Sequence, residues 1–284
     1  MSHGILVSIK PIDGQKPAQI ILQQDDARAT INLPANQPIT ITPDSSTKYC
    51  TGWHDISTHT GHTCEHNSIV DTKHEQCYPC RQKTDFNPAF YNTTDISDKQ
   101  AAYNNSPHSV YVAYFGGGLA KAGISADSRG LRRLREQGAL LYTIIDSFPN
   151  AEIAHHHEDR LIAAGLRNGV SRRQKSRALE QALDLSREIN QLESILGSVG
   201  QAEGSKITNQ LDDYFYGSYP AIKITPNHAV AISGTIRGVV GRYLVLENND
   251  RLYGTWLDSL LGYRLNITND ITPIEAAPEQ VSLF

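Results

Sequence analysis

The sequence predicts an α+β protein in which an α/β module sits between two β-rich regions, with a four-cysteine insert ahead of the module. Three observations lead there. Short β-branched runs bounded by turn residues fill both ends of the chain. A stretch from residue 49 to 92 is dense in Cys, His, Thr and Asp and has almost no apolar periodicity. Between them, strand-like runs alternate with segments of helical periodicity. The boundaries are 1–48 for the N-terminal β region, 49–105 for the insert and a linker, 106–205 for the module with a long helix, and 206–284 for the C-terminal β region.

In the first region, Ile5-Leu6-Val7 and Ile20-Ile21-Leu22 are apolar runs, and Ile31–Leu33 and Ile39–Thr42 alternate apolar with polar. Asp13-Gly14, Asp25-Asp26 and the span from Pro34 to Pro38 supply turns. Residues 93–107 read as a polar linker ending in Asn104-Asn105-Ser106-Pro107. Val110–Phe115 reads as a buried strand, Gly116-Gly117-Gly118 as its turn and Leu119–Ile124 as its hairpin partner. Residues 129–137 read as helix, Leu140–Phe148 as strand, and Ala151–Leu166 as a helix capped by Asn150. Ser171–Leu196 reads as one long amphipathic helix using Leu179, Leu183, Leu192 and Leu196, ended by Gly197. Ala221–Thr225, Ala229–Ser233 and Tyr243–Leu246 are candidate strands, Asn248-Asn249-Asp250 a turn, and Gly234, Gly238 and Gly241 mark bulges or bends. Neither β region looks self-sufficient, so the two are expected to share a sheet or barrel.

Composition narrows the class. The chain has 284 residues, 39% of them hydrophobic and 20% charged, an ordinary globular balance. No apolar run approaches the roughly 20 residues that cross a bilayer. The first residues lack a basic segment followed by an apolar core, so a cytoplasmic location is expected. A net charge of −4 means that any nucleic-acid contact must come from a local basic patch.

Cys50, Cys64, Cys77 and Cys80 are the chain's four cysteines, spaced C-x13-C-x12-C-x2-C. Cys77-Tyr-Pro-Cys80 places two thiolates on one turn, and four sulfurs complete a tetrahedral zinc shell. A disulfide reading fits poorly with a cytoplasmic chain. A redox C-x2-C would open a helix after a strand and leave the upstream pair without a role. One structural zinc is therefore expected, stapling an insert too polar to bury a core of its own. His54, His59, His62, His66 and His74 lie among the cysteines; any of them could replace a thiolate, and each also reads as a solvated loop residue.

Ser109-Val110-Tyr111, nine residues, then Lys121-Ala122-Gly123 resembles the paired strands of GIY-YIG nucleases. The basic helix with Arg132 and Arg133 and the helix Ala151–Ile162 with Glu158 continue that resemblance. Over nearly its full length the chain also resembles the family known as domain of unknown function 2797. Cys50-Thr-Gly52, Cys77-x2-Cys80, Phe86-Asn87-Pro88, Lys121–Ser125, Glu136–Ala139 and Gly241–Leu244 carry that second resemblance. The nuclease resemblance implies metal-dependent phosphodiester cleavage: Tyr111 helping to activate water, Arg132 or Arg133 stabilising phosphate, Glu158 holding magnesium or manganese. Lys121 stands where the motif has its second tyrosine and Ser109 where it has its first glycine, while Asn168 is a loose match to the terminal asparagine. Tyr111 also reads as a core tyrosine, the arginines as a solvated helix face, and Glu158 as the partner of a neighbouring Arg or His. A metal site of His155 with Glu158 or Asp159 has helical spacing.

Arg129, Arg132, Arg133 and Arg135 cluster beside these residues. Arg160, Arg167, Arg172, Arg173, Lys175 and Arg177 follow with no acid between Leu161 and Leu179. Basic residues at a helix start oppose the helix dipole, so they call for a phosphate partner or a nearby acidic surface. Tyr214, Phe215, Tyr216 and Tyr219 could stack bases or form a seam between domains. The expected partner is DNA or RNA, with cleavage, binding alone, or a protein-interaction scaffold as the three functional readings.

Overall fold

Short apolar and β-branched runs make sheet the largest share of the regular structure. The computed structural model describes residues 2–14, 16–25, 27–87, 95–201, 205–215, 221, 223–224 and 231–272. Its strands are β1 (Ser2–Lys10), β2 (Ala18–Gln24), β3 (Ala27–Leu33), β4 (Pro38–Lys48), β5 (Trp53–Asp55), β6 (Thr60–His62), β7 (His108–Tyr114) and β8 (Ala120–Ala126). There follow β9 (Leu141–Phe148), β10 (Thr208–Asn209), β11 (Lys223–Ile224), β12 (Ile232–Val240), β13 (Tyr243–Asn248), β14 (Arg251–Trp256) and β15 (Tyr263–Thr268). The helices are α1 (Tyr78–Thr84), α2 (Asp98–Asn104), α3 (Arg132–Gln137), α4 (Ala151–Ala163), α5 (Arg172–Leu179), α6 (Leu185–Ser198) and α7 (Leu211–Tyr214).

Both terminal regions enter one curled nine-stranded sheet, ordered β11-β14-β13-β12-β4-β15-β1-β2-β3. The C-terminal strand β15 inserts between β4 and β1, so neither region pairs only with itself. The β13–β14 turn uses Asn249 and Asp250, both with positive φ, the conformation a two-residue hairpin needs. Inside the sheet, Leu6, Ile20, Leu22, Ile41, Val239, Leu244 and Leu265 form the main core. Tyr214 and Phe215 are buried in that same core, which supports the seam reading over base stacking; Tyr216 and Tyr219 lie outside the described residues, as do Pro88, Ala229 and Val230.

The module is a four-stranded sheet, β10-β9-β7-β8. On β7, Val110, Val112 and Tyr114 face α4 and α6 and pack with Ala154, Leu161, Leu192 and Leu196. Tyr111, Ala113 and Phe115 face the other way and pack with Leu134 of α3, Ala139 and Tyr142. Strand alternation puts Lys121 and Gly123 of β8 on Tyr111's side, because Ala120 and Ala122 belong to the α4 side.

Three expectations need correction. The span Ser171–Leu196 is two helices, α5 and α6, rather than one. Leu179 and Leu183 belong to the main core and Leu192 and Leu196 to the module core, and one straight helix cannot serve both. Ser171 with Gln174 forms a capping box on α5, and Asp184 caps α6 by accepting from the Arg187 amide. Gly197 does not end α6, which runs to Ser198; Gly200 takes the left-handed turn. The expected linker contains α2, whose cap Ser97 accepts from the Gln100 amide. The Gln100 side chain is fully buried and bonds both backbone groups of Asn87, docking α2 onto the end of the insert. Ser97-x-x-Gln100 is a capping-box spacing that announces this helix. Among the described residues no helix is long and apolar enough to cross a membrane.

Candidate functional site

Two polar clusters stand out, and the first is made of sulfur. Cys50 follows β4, Cys64 follows the β5–β6 hairpin, and Cys77 and Cys80 flank the first turn of α1. The four Sγ atoms lie within 4.8 Å of one another, and Cys64 Sγ to Cys77 Sγ is 3.8 Å. A tetrahedron of thiolates about 2.3 Å from zinc has an edge of about 3.8 Å, whereas a disulfide brings sulfurs to about 2 Å. Amides of Gly52 and Cys77 point at Cys50 Sγ, at 3.4 and 3.2 Å. The cluster can therefore hold a metal ion such as zinc.

Without a cation these thiols resist ionisation together. Burial pushes Cys50 to about 11 and, with the neighbouring sulfurs, pushes Cys80 far up. Burial also works upward on Cys64, but the amides of Ser68 and His66 outweigh it and bring that thiol to about 6. A bound cation removes the conflict by stabilising all four thiolates. No histidine nitrogen belongs to this ligand cluster among the described residues. His62 stacks on Trp53, His74 bonds Asp71, and His59 reaches Ser128 at 3.4 Å. Cys77-x2-Cys80 opens a helix, with Cys77 as its cap, but that helix does not follow directly on a strand, since β6 ends at His62. The two upstream sulfurs in the same cluster are what separate it from a redox pair.

The second cluster lies at the β8 edge of the module. Tyr111 is 2% exposed, and its ring crosses β8 at Gly123, where an added Cβ would sit 2.4 Å from the hydroxyl. Gly123 therefore has to be glycine for Tyr111 to reach the edge. The hydroxyl accepts a 2.8 Å hydrogen bond from Gln137 Nε2 at the end of α3, leaving its own proton free to donate. Burial raises the Tyr111 hydroxyl above its ordinary range; the Gln137 hydrogen bond and Arg133 oppose this and Glu158 adds to it. Lys121 is lowered to about 8, by burial first and then by Arg133, with Glu158 pulling the other way. Tyr111, Lys121, Arg133 and Glu158, on β7, β8, α3 and α4, are near enough for Arg133 and Glu158 to act on the charge of Tyr111 and Lys121.

Arg132 is not part of that group. It pairs with Glu136 at 2.9 Å, and Arg129 pairs with the other oxygen of Glu136 at 2.6 Å. Arg135 is bound to Asp13. Three of the four clustered arginines thus share two acids within the fold, and Arg133 faces Tyr111. Asn168 is exposed, just beyond the point where the Arg167 carbonyl accepts from the Ala122 amide. Glu158 is buried and bonds His155 Nδ1 at 3.1 Å, while His155 Nε2 lies 3.7 Å from Asp159. Its carboxylate acts on the charge of both Tyr111 and Lys121, and it could give a divalent ion one protein ligand.

Two residues of this region were given no role at the site by the sequence, although Gln137 lies in the Glu136–Ala139 segment that carries the family resemblance. Gln137 orients Tyr111, and Lys175 of α5 sends its ammonium to the Gln137 carbonyl at 2.7 Å. Lys175 also lies over the Phe115 ring, 4.1 Å from its centroid. The basic helix start is partly explained as well: Arg172 pairs with the buried Asp258 at 2.7 Å, the acidic group its position called for.

A family model described as "Protein of unknown function (DUF2797)" matches residues 56–255, and the chain belongs to that family. The match takes in Cys64, Cys77, Cys80 and every cleft residue named above, and leaves Cys50 outside. No curated protein and no solved structure matches the chain.

Proposed function

We propose that this family member binds nucleic acid at the cleft where Tyr111, Lys121, Arg133 and Glu158 meet, and cleaves phosphodiesters there when a divalent metal joins Glu158. What supports the reading is that Arg133 and Glu158, from two helices, act on the charge of Tyr111 and Lys121, from two paired strands. Arg133 would neutralise a phosphate oxygen and the Tyr111 hydroxyl would donate to a second oxygen or to the attacking water. Lys121, lowered to about 8 and so divided between its two forms near that pH, would serve as phosphate contact when charged and as proton acceptor when neutral. Magnesium or manganese at Glu158 would supply Lewis-acid polarisation of the phosphoryl group. In the same reading the four cysteines hold one structural zinc that staples residues 49–87 beside the cleft.

Binding without cleavage is favoured by one specific feature. Cations outnumber acids around the cleft, which suits a phosphate better than a divalent ion with one carboxylate. Cleavage assays on single-stranded, duplex and branched substrates with magnesium or manganese separate the two. Cleavage abolished in Glu158→Ala supports the enzyme. Cleavage unchanged in that variant removes Glu158 from the site. Salt-dependent binding with no cleavage by the wild type leaves the binding reading, and no binding to any DNA or RNA ends both.

A further inference from the structure

We propose that Lys175, from a helix outside the motif set, completes with Lys121 and Arg133 a binding site for a phosphoryl group, whose oxygens supply the negative charge the cleft lacks. The inference deepens the nucleic-acid reading but carries its own test. Lys121 and Tyr111 lie on one face of the module sheet. Gln137 ties that face to α5, giving its side chain to Tyr111 and its main-chain oxygen to Lys175. Lys175 sits against Phe115 and shares an apolar recess with Leu140, Leu179, Val240 and Trp256.

The charged groups facing Lys175 are Lys121 from β8, Arg133 from α3, Arg172 from its own helix, and Asp258 from the turn after β14. Asp258 is already paired with Arg172 and Glu158 with His155. No ion-pair partner of Lys121, Arg133 or Lys175 occurs among the described residues. Lys121 pairs opposite Ala113, two residues from the Phe115 ring that Lys175 covers, and Gln137 bonds both the Arg133 carbonyl and Lys175, so the three cations lie on one half-buried side of the sheet where water screens charge poorly. The fold tolerates this by releasing protons: burial first, then Lys121 and Arg133, lowers Lys175 to about 7. A phosphoryl group would reverse the effect and draw a proton back onto Lys175. Binding should therefore take up protons near neutral pH.

The test is isothermal titration of the full zinc-loaded chain near pH 7, in two buffers of different ionisation heat, with two probes. One probe is inorganic pyrophosphate, the other a short single-stranded DNA with no terminal phosphate. At least one probe is expected to bind with net proton uptake. Lys175→Met should weaken that binding about tenfold or more, the scale of one lost charged hydrogen bond. Lys175→Arg, permanently charged, should keep most of the affinity and lose most of the uptake. Melting curves of both variants report whether they fold. If only pyrophosphate binds through Lys175, the site stands and the nucleic-acid reading falls. If DNA binds and Lys175→Met binds it equally well, the nucleic-acid reading stands and this inference falls. No binding of either probe, or a Lys175→Met variant that shifts only the melting temperature, overturns the inference.

Discussion

The sulfur cluster and the Tyr111 cleft are two charge problems of opposite sign. Four thiols crowd one site, three of them buried, and ionise together only around a cation. Three cations crowd the other, and stay charged together only around an anion. Glu188 shows what the fold does when no ligand is meant. Its side chain is 1% exposed, yet it accepts from Tyr114 at 2.5 Å, the Gly117 amide at 3.0 Å and Arg187 at 2.8 Å. A buried charge with partners on every side needs nothing further. The four sulfurs face one another, and Lys121, Arg133 and Lys175 have no ion-pair partner among the described residues; that contrast marks the two clusters as sites.

The largest effect is expected at the cysteines. Cys77→Ser should take bound zinc from about one per chain to near none, measured by mass spectrometry of the native protein. Proteolysis should then cut within residues 49–87, because apparent zinc-binding energies on the order of 10 kcal/mol are folding energy for such inserts. Zinc-free protein with an intact, protease-resistant insert would break the comparison at its first term. Next comes Glu188→Ala, which leaves the Gly117 amide without its acceptor and Arg187 without its acid, and leaves the Tyr114 hydroxyl with Gln191 Oε1 alone. Chemical denaturation should show a loss of about 3–5 kcal/mol, the usual cost of breaking a buried charge network, with zinc content unchanged.

Lys175 gives a smaller, pH-dependent effect. Its folded pKa is about 7, below the roughly 10.4 of a free lysine. Between those values the unfolded chain binds more protons than the folded one, so stability rises as pH rises through that window. Lys175→Met should flatten that slope in melting temperatures taken from pH 6 to about 10, in protein free of phosphate. A slope identical in the variant would mean that Lys175 is solvated. The smallest effect should come from Arg132→Gln, which removes one half-exposed pair with Glu136. It should change stability by less than about 1 kcal/mol and leave oligonucleotide binding nearly unchanged. Arg133→Gln, one position on, should weaken binding about tenfold. Equal losses in the two variants would erase the distinction between the arginine that faces the cleft and the one paired within the fold.

Much of this was legible along the chain. Ile5–Val7, Ile20–Leu22 and Tyr243–Leu246 became strands because short apolar runs bounded by turn residues act over a few positions. Asn150 caps α4 for an equally local reason. Cys50, Cys64, Cys77 and Cys80 could be grouped because nothing else in the chain offers four sulfurs. Local rules also misled: Ser171–Leu196 has continuous helical periodicity, and only the existence of two cores shows why it breaks.

The sequence by itself determined the β-rich ends, the hairpin with Tyr111 and Lys121, and the residue types available to each site. Only the tertiary structure decided that β15 inserts between β1 and β4, that Arg133 rather than Arg132 meets Tyr111, and that Lys175 joins Lys121. These choices depend on which charges find partners far along the chain, such as Arg135 with Asp13 or Arg172 with Asp258. Pairings across such separations leave no periodic trace in the sequence, because their energy appears only once the sheets have closed.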